Sequence, residues 1–376
     1  MKPLYLDNAA TTRMKKEVVK AMLQFLNEKY GNPSSEHVLG EQARKAMNEA
    51  RALLARELWC KAHEIVFTSG GTEANTLALQ GVLGASKKKK VLISAIEHSS
   101  VWEVCETLKK EGCEIVEIAV NSEGFVRMSE LEKAIDEKTA LVSVIHGNNE
   151  IGTLQDIGAI ATICKRKGVL FHTDAVQSFG KERILVREMG IDLLTASAHK
   201  IHGPKGIGLL YVREGIALQP LIPGSQEAGR RGGTENVAGI VGFAKALEMQ
   251  KRVDTQKVKA MRELLMQGLE NLGGTITGSR GQRLWDHVSV AFPEVDAEWL
   301  VQRLSLRGIY CSTRSACLTQ QKKESRVLKA IGLSKEQQKG ALRMVLDESI
   351  TKKDVERVMK EMQHALKADV SEQEKA

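Results

Sequence analysis

Between residues 64 and 212 the chain alternates between two periodicities. Short apolar runs at 64–68, 91–95, 114–119, 140–145, 169–173, 192–196 and 207–212 are bounded by turn residues and read as strands. Stretches with apolar residues at helical spacing lie between them, near 73–83, 99–110, 129–136 and 156–167. Strands alternating with helices predict an α/β fold, with a mostly parallel seven-stranded sheet covered on both faces. Upstream, Val18, Met22, Phe25 and Leu26 recur at helical spacing. The turn Tyr30–Ser35 then leads into an Ala-rich amphipathic helix over about 36–58, for which Ser35 is the candidate cap. Downstream, residues 221–235 are irregular, and a long helix is predicted over 236–271. Strands at 286–292 and 309–312 with helices at 296–306 and 351–368 then read as a smaller α+β domain. The expected organisation is an N-terminal arm over 1–15 packing with the small domain, a large domain over 16–255 and the small domain over 256–376. The polar tail 369–376 is expected to fray.

Composition narrows the class. With 376 residues, 42% of them hydrophobic and 27% charged, the chain can build the full core of a globular enzyme. No apolar run is long enough for a membrane span, and the N-terminus carries no hydrophobic signal region, so a cytoplasmic protein is expected. Cysteines fall at 60, 105, 113, 164, 311 and 317 without a Cys-x-x-Cys pair. That spacing argues against a disulfide framework or a zinc site and for free thiols. The net charge of +8 suits either an acidic partner or a solvated basic surface. Its longest run, Lys87–Lys90, reads as a solvated loop, so no direct nucleic-acid binding is expected.

The candidate chemistry centres on Ser197-Ala198-His199-Lys200, which follows an apolar strand. A lysine chosen blind is a solvated surface charge. At a buried strand end, however, desolvation favours the neutral amine, which condenses with an aldehyde to a Schiff base. Pyridoxal 5'-phosphate (PLP) is the commonest protein-bound aldehyde, and Ser and His are natural neighbours for its phosphate. Two further motifs support this choice. Asp174 ends the strand at 169–173, where ligands of open α/β sheets bind, and a carboxylate there can keep a pyridine nitrogen protonated. Gln177 lies near enough to hydrogen-bond the ring hydroxyl. The turn Ser69-Gly70-Gly71-Thr72 between strand and helix offers backbone N–H groups and a helix N-terminus to a phosphate.

Together with Tyr5–Thr12, Gly31–Ser35, Glu97-His98, Asn148–Gly152, Gly233–Asn236 and Ser315-Ala316-Cys317, these motifs resemble the cysteine desulfurases. That group lies in the class V aminotransferase branch of fold-type-I PLP enzymes. The resemblance covers nearly the whole chain. It implies that Lys200 carries the cofactor and moves protons at the substrate Cα. It further implies that His98 stacks on the ring and assists proton transfer, while Asp174 and Gln177 hold the ring nitrogen and hydroxyl. Thr72, Ser197, His199 and the Gly71 N–H are implied as phosphate ligands, and Thr234 as a phosphate ligand for the partner subunit of a homodimer. Asn149 and Arg343 are implied to hold the substrate carboxylate, a task for which an arginine fork is suited.

Cys317 is the decisive residue of the resemblance. PLP chemistry on L-cysteine needs an acceptor for the sulfur, and the thiolate of Cys317 supplies one, becoming a persulfide as alanine is released. The bland alternative is a buried core cysteine. The polar segment Leu318–Ser325 reads as a loop able to carry sulfur outward. Its length resembles the longer-loop group, which serves iron–sulfur scaffolds and tRNA-thiolation enzymes. Cys311 reads as structural. Six positions depart from the family pattern: Arg13, Ser225, Ala228, Arg314, Val345 and Asp347. A selenocysteine lyase or another class V aminotransferase-like enzyme is the alternative.

Overall fold

In the computed structural model, residues 2–313 and 324–373 are described. Twelve strands form three sheets among these residues. In chain order they are β1 (Leu4–Tyr5), β2 (Ile65–Thr68), β3 (Lys90–Ser94), β4 (Glu114–Ile118), β5 (Thr139–Ser143) and β6 (Leu170–Asp174). There follow β7 (Leu193–Ser197), β8 (Gly208–Val212), β9 (Thr275–Ile276), β10 (His287–Ala291), β11 (Ile309–Tyr310) and β12 (Ala341–Val345). The large sheet has seven strands in the order β2-β8-β7-β6-β5-β3-β4. Only β8 runs against the others, pairing antiparallel with both β2 and β7. The expected mostly parallel sheet is therefore present, and six strands end at the same edge.

Strands buried on both faces read as unbroken apolar runs, and β2, β3, β5, β7 and β8 are buried along their full length. Phe171 on β6 is fully buried within the main core. A side chain of that size contributes about 1.5–3 kcal/mol by leaving water. That packing fixes the strand ending at Asp174.

Three sequence expectations change, one of them the helix expected over 351–368, which spans Lys352–Gln373 and so extends into the tail expected to fray. The helix expected from about 36 spans Val38–Leu58, and His37, not Ser35, caps it by accepting from the Gly40 N–H at 3.2 Å. The long helix expected over 236–271 is two helices, Val237–Gln250 and Thr255–Asn271. The Asp254 side chain accepts from the Lys257 N–H and starts the second. An Asp before Thr is an N-cap signal, and it outweighs the continuous helical periodicity around it.

A second apolar cluster gathers Leu265, Leu269, Val288, Leu300 and Met344 around β10 and β12, with Leu4 and Leu6 of the N-terminal arm. The arm enters this cluster through parallel pairing of β1 with β11. It then crosses to the large sheet, where the Thr12 N–H donates to the His199 carbonyl at 3.0 Å.

Candidate active site

Lys200 closes a single 3-10 turn, Ala198–Lys200, directly after β7. Its amine donates to the Ala9 carbonyl at 2.5 Å and to the Ala10 carbonyl at 2.9 Å. Burial lowers its pKa to about 7, and the nearby Arg343 and Lys181 cations add to that effect. The amine faces a cavity of about 220 Å³ that also receives Gly71, Thr72, His98, Asn149, Asp174, Gln177, Ser197, His199 and Arg343. All but two of the twelve sequence-derived candidates therefore meet in one place. Cys317 lies outside the described residues, as does Arg314. Thr234 is exposed and lines a separate cleft with Phe67 and Glu227.

Asp174 projects from the end of β6 and is 2% exposed. Its carboxylate accepts from Asn75 Nδ2 at 2.8 Å and from the Val176 N–H at 2.9 Å. Ser100 Oγ in turn accepts from Asn75 at 2.8 Å, so helix residues brace the carboxylate from behind. The next carboxyl group, Glu97, is fully buried, and desolvation raises its pKa to about 8, reinforced by the charge on Asp174. Glu97 is therefore largely neutral at neutral pH. Gln177 Nε2 donates to the Ala9 carbonyl at 2.9 Å.

His98 is both a helix cap and a cavity residue. Its Nδ1 accepts from the Ser100 N–H at 3.1 Å and starts the helix Ser99–Lys110. The neutral ring therefore carries its proton on Nε2. Burial holds its pKa below the usual histidine range, opposed by Asp174.

The turn after β2 meets the N-terminus of the helix Gly71–Ala85, whose first N–H groups and dipole suit an anion. Glu73 ties this turn by accepting from the Ser69 N–H at 2.8 Å and from Arg231 Nε at 2.9 Å. Only glycine fits at position 208 beneath it, because a Cβ there would lie 2.6 Å from the Gly70 carbonyl carbon. His199 Nδ1 is 3.1 Å from Thr11 Oγ1, and burial lowers its pKa to about 4, so the imidazole is neutral at neutral pH.

Arg343 lies on β12, 2% exposed. It donates to the Asn149 carbonyl at 3.0 Å and to Asp7 Oδ1 at 2.8 Å. Its Nε–H is buried with no partner among the described residues, which leaves a donor for an incoming carboxylate. His287 Nε2 lies 3.1 Å from the same Asn149 carbonyl. Sequence reasoning missed Asp7, Asn75, Ser100 and His287, of which Asp7, Asn75 and His287 lie far along the chain from the groups they hold. Cys311 is buried, and desolvation pushes its thiol up to about 12, as expected of a structural cysteine.

This donor set fits pyridoxal phosphate. A desolvated lysine, a carboxylate at a strand end, a helix N-terminus flanked by hydroxyl and imidazole groups, and a buried guanidinium with a free N–H share one cavity.

Comparison with known proteins gives the family of the chain. The family description Aminotransferase class-V matches residues 4–358. The chain is 43% identical to the cysteine desulfurase IscS of Dictyoglomus turgidum over 362 residues, covering 94% of this chain and 91% of that one. It is similar to a solved NifS-like protein with a TM-score of 0.92 and 37% identity, across 97% of this chain and 100% of the other. A structure described as SspA in complex with cysteine matches with a TM-score of 0.84 and 34% identity, across 93% and 100% of the two chains.

Proposed function

From the membership of this chain in the Aminotransferase class-V family, whose branch of cysteine desulfurases is PLP-dependent, we propose that it converts L-cysteine to L-alanine and retains the sulfur on Cys317. The observation that carries the reading is the buried Lys200 amine, set with Asp174 and Arg343 around one cavity.

When bound, the cofactor withdraws electron density from the substrate and so loosens its Cβ–S bond. The chain's residues do the rest. Lys200 holds the cofactor and moves the proton of the substrate Cα, helped by its lowered pKa. Asp174 keeps the ring nitrogen protonated, Gln177 meets the ring hydroxyl, and Gly71, Thr72, Ser197 and His199 take the phosphate. His98 carries a proton at Nε2 for transfer. Asn149 and the free Nε–H of Arg343 receive the substrate carboxylate. The Cys317 thiolate forms an S–S bond to the substrate sulfur as the Cβ–S bond breaks and Cβ takes a proton. Alanine and a persulfide on Cys317 result.

The chain divides, in this reading, into an arm over 1–15, a cofactor-binding unit over 16–255 and a smaller unit over 256–376 that carries Cys317. It works as a cytoplasmic homodimer in which exposed Thr234 reaches the partner's cofactor phosphate. It hands its sulfur to an iron–sulfur scaffold or a tRNA-thiolation enzyme. No helix among the described residues is long and apolar enough to cross a membrane.

The direct test is to supply purified protein with L-cysteine and a thiol reductant and assay both products. Alanine and sulfide in equal amounts are expected. A bound-cofactor spectrum with neither product would sink the reading.

His287→Ala removes one of the two donors to the Asn149 carbonyl. Losing such a buried hydrogen bond is worth about 1–1.5 kcal/mol. The expected result is a KM for cysteine raised roughly ten-fold, with cofactor retention unchanged. An unaltered KM would show that Arg343 alone positions Asn149.

A further inference from the structure

Lys200 also lines a second and much smaller cavity. Its volume of about 10 Å³ is close to what a single water needs. Lys200, Lys181, Asn8, Asp286 and Asp347 all line it.

Two observations mark it as a built site. First, Lys181 and Asp286 form an ion pair of 2.6 Å with side chains only 4% and 3% exposed. Lys181 comes from the turn after Gln177, and Asp286 from the segment before β10, so the pair joins the two apolar clusters. The ammonium is fixed further by the Trp285 ring, 5.9 Å away, while Trp285 Nε1 donates to the Lys181 carbonyl at 3.2 Å. Second, two acceptors from this lining, Asn8 Oδ1 and Asp286 Oδ1, are buried without a hydrogen-bond partner among the described residues. A buried acceptor without a donor is costly, and one water offers two O–H groups.

We propose that Lys181, Asp286 and one buried water form a charged set that faces Lys200 across this small cavity and acts on the charge state of its nitrogen. The inference rests on the reading of Lys200 as the cofactor lysine. The water donates to Asn8 and Asp286, and the Lys181 ammonium donates to its oxygen. The salt bridge holds a cation beside a lysine that must itself be neutral to act.

The charged groups that act most on Lys200 are Arg343 from β12, Asp174 from β6, Asp7 from the arm and Lys181, and Asp286, Asp347 and Glu348 also line the small cavity with it. The imidazoles of His98, His199 and His202 lie nearby and are held neutral by burial. Of the two cations, Arg343 lines the main cavity and Lys181 the small one. Lys181 acts on Lys200 as a like charge, and Asp286 is not among the main contributors to its shift.

The experiment titrates the visible absorbance of the full-length holoenzyme against pH, since that absorbance reports the proton on the Lys200 nitrogen. Lys181→Met/Asp286→Asn keeps the buried site neutral and removes the cation. Its midpoint is expected to rise by on the order of one pH unit. Lys181→Arg keeps the charge, and its midpoint is expected to stay within a few tenths of wild type. A folded double variant that binds the cofactor but titrates like wild type overturns the proposal. So does a wild-type crystal structure with no ordered water between Asn8 and Asp286, a measurement that holds even if the double variant fails to fold. A wild type lacking the Lys200-dependent band would instead sink the cofactor reading itself, so the two failures are distinguishable.

Discussion

Lys200→Ala is expected to abolish the visible band of bound cofactor and to lower alanine formation by about 10⁴-fold or more. Two functions leave together: the covalent hold on the cofactor and the base that moves the Cα proton, the latter alone worth roughly 10²–10⁴-fold. The pH behaviour of the wild type makes the claim sharper. Burial brings the Lys200 pKa to about 7, with Arg343 and Lys181 contributing. An exposed lysine titrates near 10.4. Lowering the pKa of a base enlarges its neutral fraction, so near pH 7 about half of the Lys200 amines are free to react, roughly 10³-fold more than for an exposed lysine. Cofactor uptake by stripped protein should therefore climb through pH 7 and level off above pH 8. A rate still climbing at pH 10 would mean that the buried environment does not tune this amine.

Cys317→Ala is expected to stop both alanine and sulfide production, by about 10⁴-fold or more, while leaving the cofactor band intact. The expected separation follows from chemistry. Cofactor and lysine activate the substrate, but the Cβ–S bond breaks only when a thiolate takes the sulfur. The variant should still change spectrum when cysteine is added and then stall. The buried Cys311 thiol, pushed up to about 12, offers no thiolate to replace it. Alanine formation in Cys317→Ala at the wild-type rate would mean that the Cβ–S bond breaks without a thiol at position 317, as in a reaction of the selenocysteine lyase type. Mass spectrometry of wild-type protein after one turnover should find one added sulfur on the peptide containing Cys317.

The large sheet was legible because buried strands leave a local trace, an apolar run between turn residues. Lys200, Asp174 and the Gly71 turn were legible for the same reason, since each ends such a run. The supporting groups leave no such trace. Asp7 meets Arg343 across 336 positions, and His287 meets Asn149 across 138. An aspartate and a histidine at those places look like any others until the fold closes. Two of the errors in helix ends share one cause. Periodicity describes the middle of a helix, whereas its ends depend on one side chain finding one backbone N–H, as His37 and Asp254 do. The departure at Asp347 also became intelligible only in three dimensions, where its carboxylate steadies its own turn by accepting from the Ser349 N–H at 2.8 Å, while nothing in the structure explains Val345.

The N-terminal arm has a consequence for the order of synthesis. Its Ala9 and Ala10 carbonyls receive the Lys200 amine, yet the arm is anchored by β1 on β11 and by Asp7 on Arg343. A ribosome makes the arm first and its anchors in the last fifth of the chain. The nascent large sheet, with Lys200 already in place, therefore waits with the arm undocked until β12 has emerged. Closing a loop of that length is among the slower events of folding, so the reactive amine reaches its finished surroundings late.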